Sequence, residues 1–132
     1  MYNFNYNMND ERRCEIIGIP EAGRYPMGGV HYFKHLTLDQ LNTLLEEKFI
    51  DPETAMNNTP YHYEIKEFME KYPMFTARGY IVCPQRKDYR TSLEGVDYTG
   101  EVDQQMMADF HERFGDADEF ECDENGCHCW YD

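Results

Sequence analysis

The last third of this chain has almost no positive charge. After Leu93, Arg113 is the sole lysine or arginine, set against 13 acidic residues. That scarcity disfavours direct binding to a nucleic-acid backbone, which calls for clustered Lys and Arg. Long apolar runs are missing as well. None approaches the roughly 18 residues that a membrane span requires, so no membrane contact is expected. The start, M-Y-N-F-N-Y-N, has neither the charged region nor the apolar stretch of a secretory leader. A cytoplasmic protein with its five cysteines reduced is the expectation. Gly28-Gly29 lacks the glycine spacing and the Lys-Ser/Thr end of a phosphate loop. His31 and His35 lack the Glu of a zinc-protease helix, and their segment reads as strand, where i and i+4 do not share a helical face. No internal repeat or domain boundary is visible.

What is present is a globular composition. The chain has 132 residues, 41 % of them apolar, which suits one domain with a real core. Aromatics reach 15 %, led by 11 tyrosines, whose rings combine contact area with a polar tip. The net charge is −14, yet residues 1–93 are nearly balanced, with 13 acids and 11 bases. The imbalance therefore lies in residues 94–132.

The stretch Phe75–Gly95 organises the reading. Thr76, Tyr80, Ile81 and Val82 suit a pleated surface. Tyr89, Thr91 and Leu93 alternate with Arg90, Ser92 and Glu94, the period of a strand with one wet face. Pro84 ends the first run, because it has no N–H for a ladder. The pattern predicts an antiparallel hairpin carrying Arg78, Arg86, Lys87 and Arg90. Before it, residues 1–13 read as a flexible arm. Cys14–Ile19 reads as a short strand stopped by Pro20, and Val30–His35 as another. Thr37 and Gln40 have the spacing of a capping box, with Leu38, Leu41, Leu45 and Phe49 as a buried stripe. Asp51-Pro52 marks a short turn reaching Met56. Thr59-Pro60 marks a second helix start, ahead of Ile65, Phe68, Met69 and Tyr72. Residues 94–101 read as loop. Asp103 to Phe114 reads as a third helix. Asn125-Gly126 predicts a tight turn between two short strands. The fold class is α+β: an antiparallel sheet of about four or five strands covered by three helices, with residues 14–132 as a single domain.

Two constellations carry chemistry. Cys122, Cys127 and Cys129 are candidate zinc ligands, with Cys14 or Cys83 as a fourth, because structural zinc takes four N/S donors. Their spacing matches no common zinc knuckle. The acidic run Asp116, Asp118, Glu119, Glu121, Asp123 and Glu124 alternates with Ala117, Phe120 and Cys122. On a strand that alternation sets carboxylates on one face and apolar groups behind it. Carboxylates along a rigid edge can imitate a phosphate backbone to a basic groove. The basic hairpin reads as neutralising the chain's own acids or those of a second copy, which makes self-association through it possible. Calcium is disfavoured, because Asp123-Glu124-Asn125-Gly126 lacks the ligand order of a calcium loop. Cys83, at the end of an apolar strand, reads as an inert thiol.

The segment G-Y-I-V-C-P-Q-R-K-D-Y-R-T-S-L-E-G (Gly79–Gly95) resembles one in small, uncharacterised acidic proteins of gut bacteria and their mobile elements. Phe49–Glu53, Ala117–Phe120 and Cys129–Asp132 are similar too. No activity is established for that group, so the resemblance transfers no residue role. It implies phage, plasmid or transposon biology, where acidic inhibitors of host defence occur. The expectation is a non-enzymatic interaction protein. Its acidic C-terminal third would bind a basic protein, in the sharper form of the expectation one that handles nucleic acid, in the manner of a DNA mimic. The alternative is a small structural zinc domain.

Overall fold

The computed structural model describes residues 4–26, 28–55 and 58–132. In chain order its elements are α1 (Asp10–Ile17), β1 (Val30–Leu36), α2 (Leu38–Glu46), α3 (His62–Lys71), β2 (Thr76–Val82), β3 (Thr91–Thr99), α4 (Gln104–Phe114), β4 (Glu119–Asp123) and β5 (Gly126–Trp130). The five strands form one sheet in the order β1-β2-β3-β5-β4, antiparallel throughout. Phe33, Ala77, Ile81, Leu93, Val96 and Cys129 share one core with the helices. This is the expected α+β class with one helix more than predicted.

The extra helix is α1, which replaces the strand expected at Cys14–Ile19. Local end signals outweigh the short apolar run there. The Asn9 side chain accepts from the Arg12 N–H at 3.2 Å, Asp10 and Glu11 occupy the first turn, and Gly18 closes the helix at φ +90°. Residues 7–13, read as part of a loose arm, also hold specific contacts. The Asn7 N–H donates to Lys48 O, and the Tyr89 hydroxyl donates to Asn7 O. Residues 1–3 lie outside the described chain.

Arg13 ties α1 to the sheet. Its side chain has no exposed surface, yet every face of the guanidinium is met. It donates to Asp10, Tyr25, Thr91 and the carbonyls of Val82 and Arg90, and it lies 4.2 Å over the Tyr89 ring. Tyr25 in turn donates to Asp10 at 2.6 Å. A buried charge is tolerated when its hydrogen-bonding capacity is filled in this way.

The capping box of α2 forms as predicted, and Gln40 serves two helices. Its Oε1 accepts from the Thr37 N–H, while its Nε2 donates to Ile16 O at the end of α1. Leu36 and Leu41 are buried on either side of the cap. The turn expected from Asp51-Pro52 is described through Ala55, and Met56 and Asn57 fall outside the described residues. α3 begins at His62, after the Tyr61 cap, and buries Ile65, Phe68 and Met69. His62 is fully buried and bridges layers: Nδ1 donates to Asp51 O, and Nε2 accepts from the Leu93 N–H of β3.

β3 departs from its expected pattern twice. From Thr91 to Val96 both faces are covered, so the wet alternation does not hold. Ser92 is buried because Arg90 folds over it, donating to its hydroxyl and to Tyr80. The strand also runs on to Thr99, through residues expected to form a loop. Gly95 marks no turn. A Cβ there would stand 2.0 Å from the Cys129 carbonyl oxygen, so only glycine permits this strand approach. α4 forms close to its predicted span, with Asp103 as its cap rather than its first residue, and buries Met106, Phe110 and Phe114. Among the described residues, no helix is long and apolar enough to cross a membrane.

Candidate functional site

The C-terminal hairpin forms, with its turn one residue earlier than predicted. Asp123 pairs with Gly126, so Glu124-Asn125 make the turn and Gly126 begins β5. Gly126 is not needed for positive φ. It is needed because a Cβ there would stand 2.6 Å from the Tyr98 carbonyl oxygen of β3.

β4 is the outer strand of the sheet and alternates strictly. Glu119, Glu121 and Asp123 are exposed, while Phe120 and Cys122 are half-buried toward the helices. Phe120 stacks on Phe110 of α4 with ring centroids 5.3 Å apart, which fixes the orientation of the strand. Asp116 and Asp118 precede it in the short connection from α4, and Glu124 caps the hairpin. All six predicted carboxylates are exposed.

Their partners are few and local. Asp116 accepts from the Tyr131 hydroxyl at 2.7 Å, Asp118 from the Asp132 N–H at 2.7 Å, and Asp123 from the Asn125 N–H at 2.8 Å. Glu119 reaches His128 Nε2 at 3.0 Å. Among the described residues, no lysine or arginine pairs with any of the six. Among the described residues, the side chains of Glu121 and Glu124 make neither a hydrogen bond nor an ion pair.

Two residues belong to this face that the sequence reading left out. Asp97 of β3 faces His128 of β5, whose register partner on β4 is Glu121. A row of contacts crosses the sheet: Glu119 to His128, His128 Nδ1 to Asp97, and Arg78 Nε to Asp97 at 2.8 Å. Burial pulls the His128 pKa down, but the hydrogen bonds to Asp97 and Glu119 outweigh it and raise the pKa above the ordinary histidine value. Beside this row is a shallow groove of about 250 Å³, lined by Asp97, Glu121, Asp123 and His128 around Gly126. Asp97 was missed because β3 was expected to stop before it.

The basic hairpin residues are mostly engaged nearby. Arg78 pairs with Asp97, and Arg86 and Arg90 both pair with Asp88. They neutralise local acids and leave the β4 row alone.

The three candidate thiol ligands lie on the helix-facing side of the hairpin. Cys122 and Cys127 are register partners with Sγ atoms 2.6 Å apart, and Cys129 is fully buried two residues further along. Burial pushes the Cys129 thiol up to about 12 and the Cys14 thiol up to about 11. Cys14 sits on α1 and Cys83 follows β2 next to Gly29, so neither joins the hairpin group in sequence or register. Among the described residues, no group of three or more His, Cys, Asp or Glu side chains is placed to hold a metal ion.

No protein-family model matches the chain, and no curated protein or solved structure matches it.

Proposed function

We propose that this is a non-enzymatic interaction protein whose acidic C-terminal third engages a basic, nucleic-acid-handling protein by occluding its cationic groove. The observation that carries the reading is the state of the six carboxylates: all are exposed, on or beside one anchored strand, and among the described residues no lysine or arginine pairs with them. Glu119, Glu121 and Asp123 span about 13 Å of strand. One strand of duplex DNA presents about four phosphates over that length, so the charge densities are of the same order. The groove beside Asp97, Glu121 and Asp123 supplies a recess for a lysine or arginine side chain of the partner. The resemblance to small acidic proteins of mobile elements points the same way.

Capture from a lysate of the source organism tests this. The full chain should retain a basic protein at low ionic strength and release it at about 1 M salt, where screening falls to about 3 Å. A variant with Glu121→Gln, Asp123→Asn and Glu124→Gln should lose most of that retention. Equal retention by the variant would sink the proposal.

A structural zinc site on Cys122, Cys127 and Cys129 is the competing reading. It is favoured by the three thiols sharing one side of the hairpin. Elemental analysis of protein purified without chelator separates the two. Stoichiometric zinc that vanishes in Cys129→Ser would put the zinc reading first.

A further inference from the structure

In the C-terminal hairpin the two-residue turn Glu124-Asn125 joins the paired residues Asp123 and Gly126. The pair that closes such a turn exchanges both backbone hydrogen bonds. The next pair outward is then of the non-hydrogen-bonded kind, with Cα atoms about 4.5 Å apart. That next pair is Cys122 and Cys127. A disulfide requires Cα atoms about 4.4–6.8 Å apart and Cβ vectors that converge. Directly opposed residues on one face of a hairpin meet both conditions, and these two thiols are free and in contact. Among the described residues no other cysteines are so placed: the register partner of Cys129 is Phe120, Cys14 lies on α1 and Cys83 follows β2. Cys122 is half-buried on the outer strand and Cys127 is buried behind it, so an oxidant from solvent meets Cys122 first.

We infer that Cys122 and Cys127 form a reversible redox site that closes to an intramolecular disulfide by exchange with a low-molecular-weight disulfide such as oxidised glutathione. Cys122 loses its proton to solvent, and its thiolate attacks one sulfur of the oxidant. The oxidant's S–S bond breaks and one small thiolate leaves. Cys127, deprotonated in turn, attacks the Cys122 sulfur of the mixed disulfide and expels the second small thiolate. The protein dithiol gives up two electrons and two protons, and the oxidant is reduced to two small thiols. The bond tethers the strand bearing Glu119, Glu121 and Asp123 to β5, and it withdraws both thiols from any metal. None of this depends on the identity of a partner for the acidic face.

The test incubates the folded full chain with a chelator and graded ratios of oxidised to reduced glutathione, followed by acid quenching, alkylation, intact mass and peptide mapping. The expected product has lost two hydrogens and carries a Cys122–Cys127 linkage that dithiothreitol reverses. It should persist in Cys14→Ser and Cys83→Ser and be absent from Cys122→Ser and Cys127→Ser, with circular dichroism checking the fold of each. Should Cys127→Ser fail to fold, Cys122→Ser, altered at a partly exposed position, carries the comparison. The inference is overturned if both thiols stay alkylatable at every ratio, if the reaction stops at glutathione adducts, or if the linkage joins another pair. The chelator keeps bound zinc from shielding the thiols, so a negative result counts against the disulfide itself.

Discussion

Arg13 lies in the N-terminal region with no exposed surface, and its guanidinium is held by Asp10, Tyr25, Thr91 and two carbonyls. At the other end of the sheet, the carboxylates from Asp116 to Glu124 all face solvent, and among the described residues none pairs with a lysine or arginine. An ionised side chain thus has two different meanings. Inside, it is part of the fold, because an ion taken out of water must find every hydrogen bond in the protein. Outside, it adds little to stability, because water already solvates it. A substitution in the first region should register as unfolding, and one in the second as altered recognition.

Removing one member of the buried pair should give the largest effect. Asp10→Ala leaves Arg13 buried without its ion partner, and a loss of about 3 kcal/mol or more is expected in urea denaturation. A loss below about 1 kcal/mol would mean that water reaches the guanidinium and that the contrast drawn above is weak.

Acid titration sharpens the comparison, since a histidine buried in the core and one on the acidic face shift in opposite directions. Burial lowers the His62 pKa to about 4, and the hydrogen bond to Asp51 O only partly offsets this. Between about 6.5 and that value the unfolded chain binds the proton and the folded chain does not. Stability from this group is therefore lost as pH falls through that window, by up to about 3 kcal/mol. His128 behaves inversely. Its raised pKa contributes stability that is fully present below the ordinary histidine value and is lost as pH rises through its own. Histidine NMR titration should show His62 silent until strongly acid pH and His128 protonated above its usual range. An ordinary midpoint for both would remove the contrast.

The smallest stability effect belongs to the outer face. Glu121→Gln and Glu124→Gln should each change stability by less than about 0.5 kcal/mol in thermal melts. A destabilisation above about 1 kcal/mol would show that these side chains serve the fold.

What could be read from the residues was mostly local. The α2 capping box, the helical span of α4 and the apolar stripe of α3 involve neighbours a few positions apart, and they were legible. α1 was misread because the apolar run Cys14–Ile19 was weighed above the Asn9 and Gly18 end signals that decide it. The burial of Arg13 was not legible at all. Its partners Val82, Arg90 and Thr91 stand 69 to 78 positions away in sequence. Glycine caused the remaining slips. Gly95 and Gly126 were taken as turn residues, whereas each admits the backbone of an adjacent strand. The error at Gly95 cut β3 short and hid Asp97, while the acidic row on β4 was visible because strand alternation is itself a sequence pattern.

β4 has a further consequence as the last strand of the sheet. Beyond it the backbone has no neighbouring strand among the described residues, and an unpaired edge is a template on which another copy can add. Two molecules meeting there would bring Glu119, Glu121 and Asp123 of each together, and mutual repulsion holds them apart. The opposite margin is guarded by shape: β1 breaks register between Phe33 and Leu36, where His35 adopts φ +64°. Growth of the sheet into a polymer is thus discouraged on one side by charge and on the other by a kink.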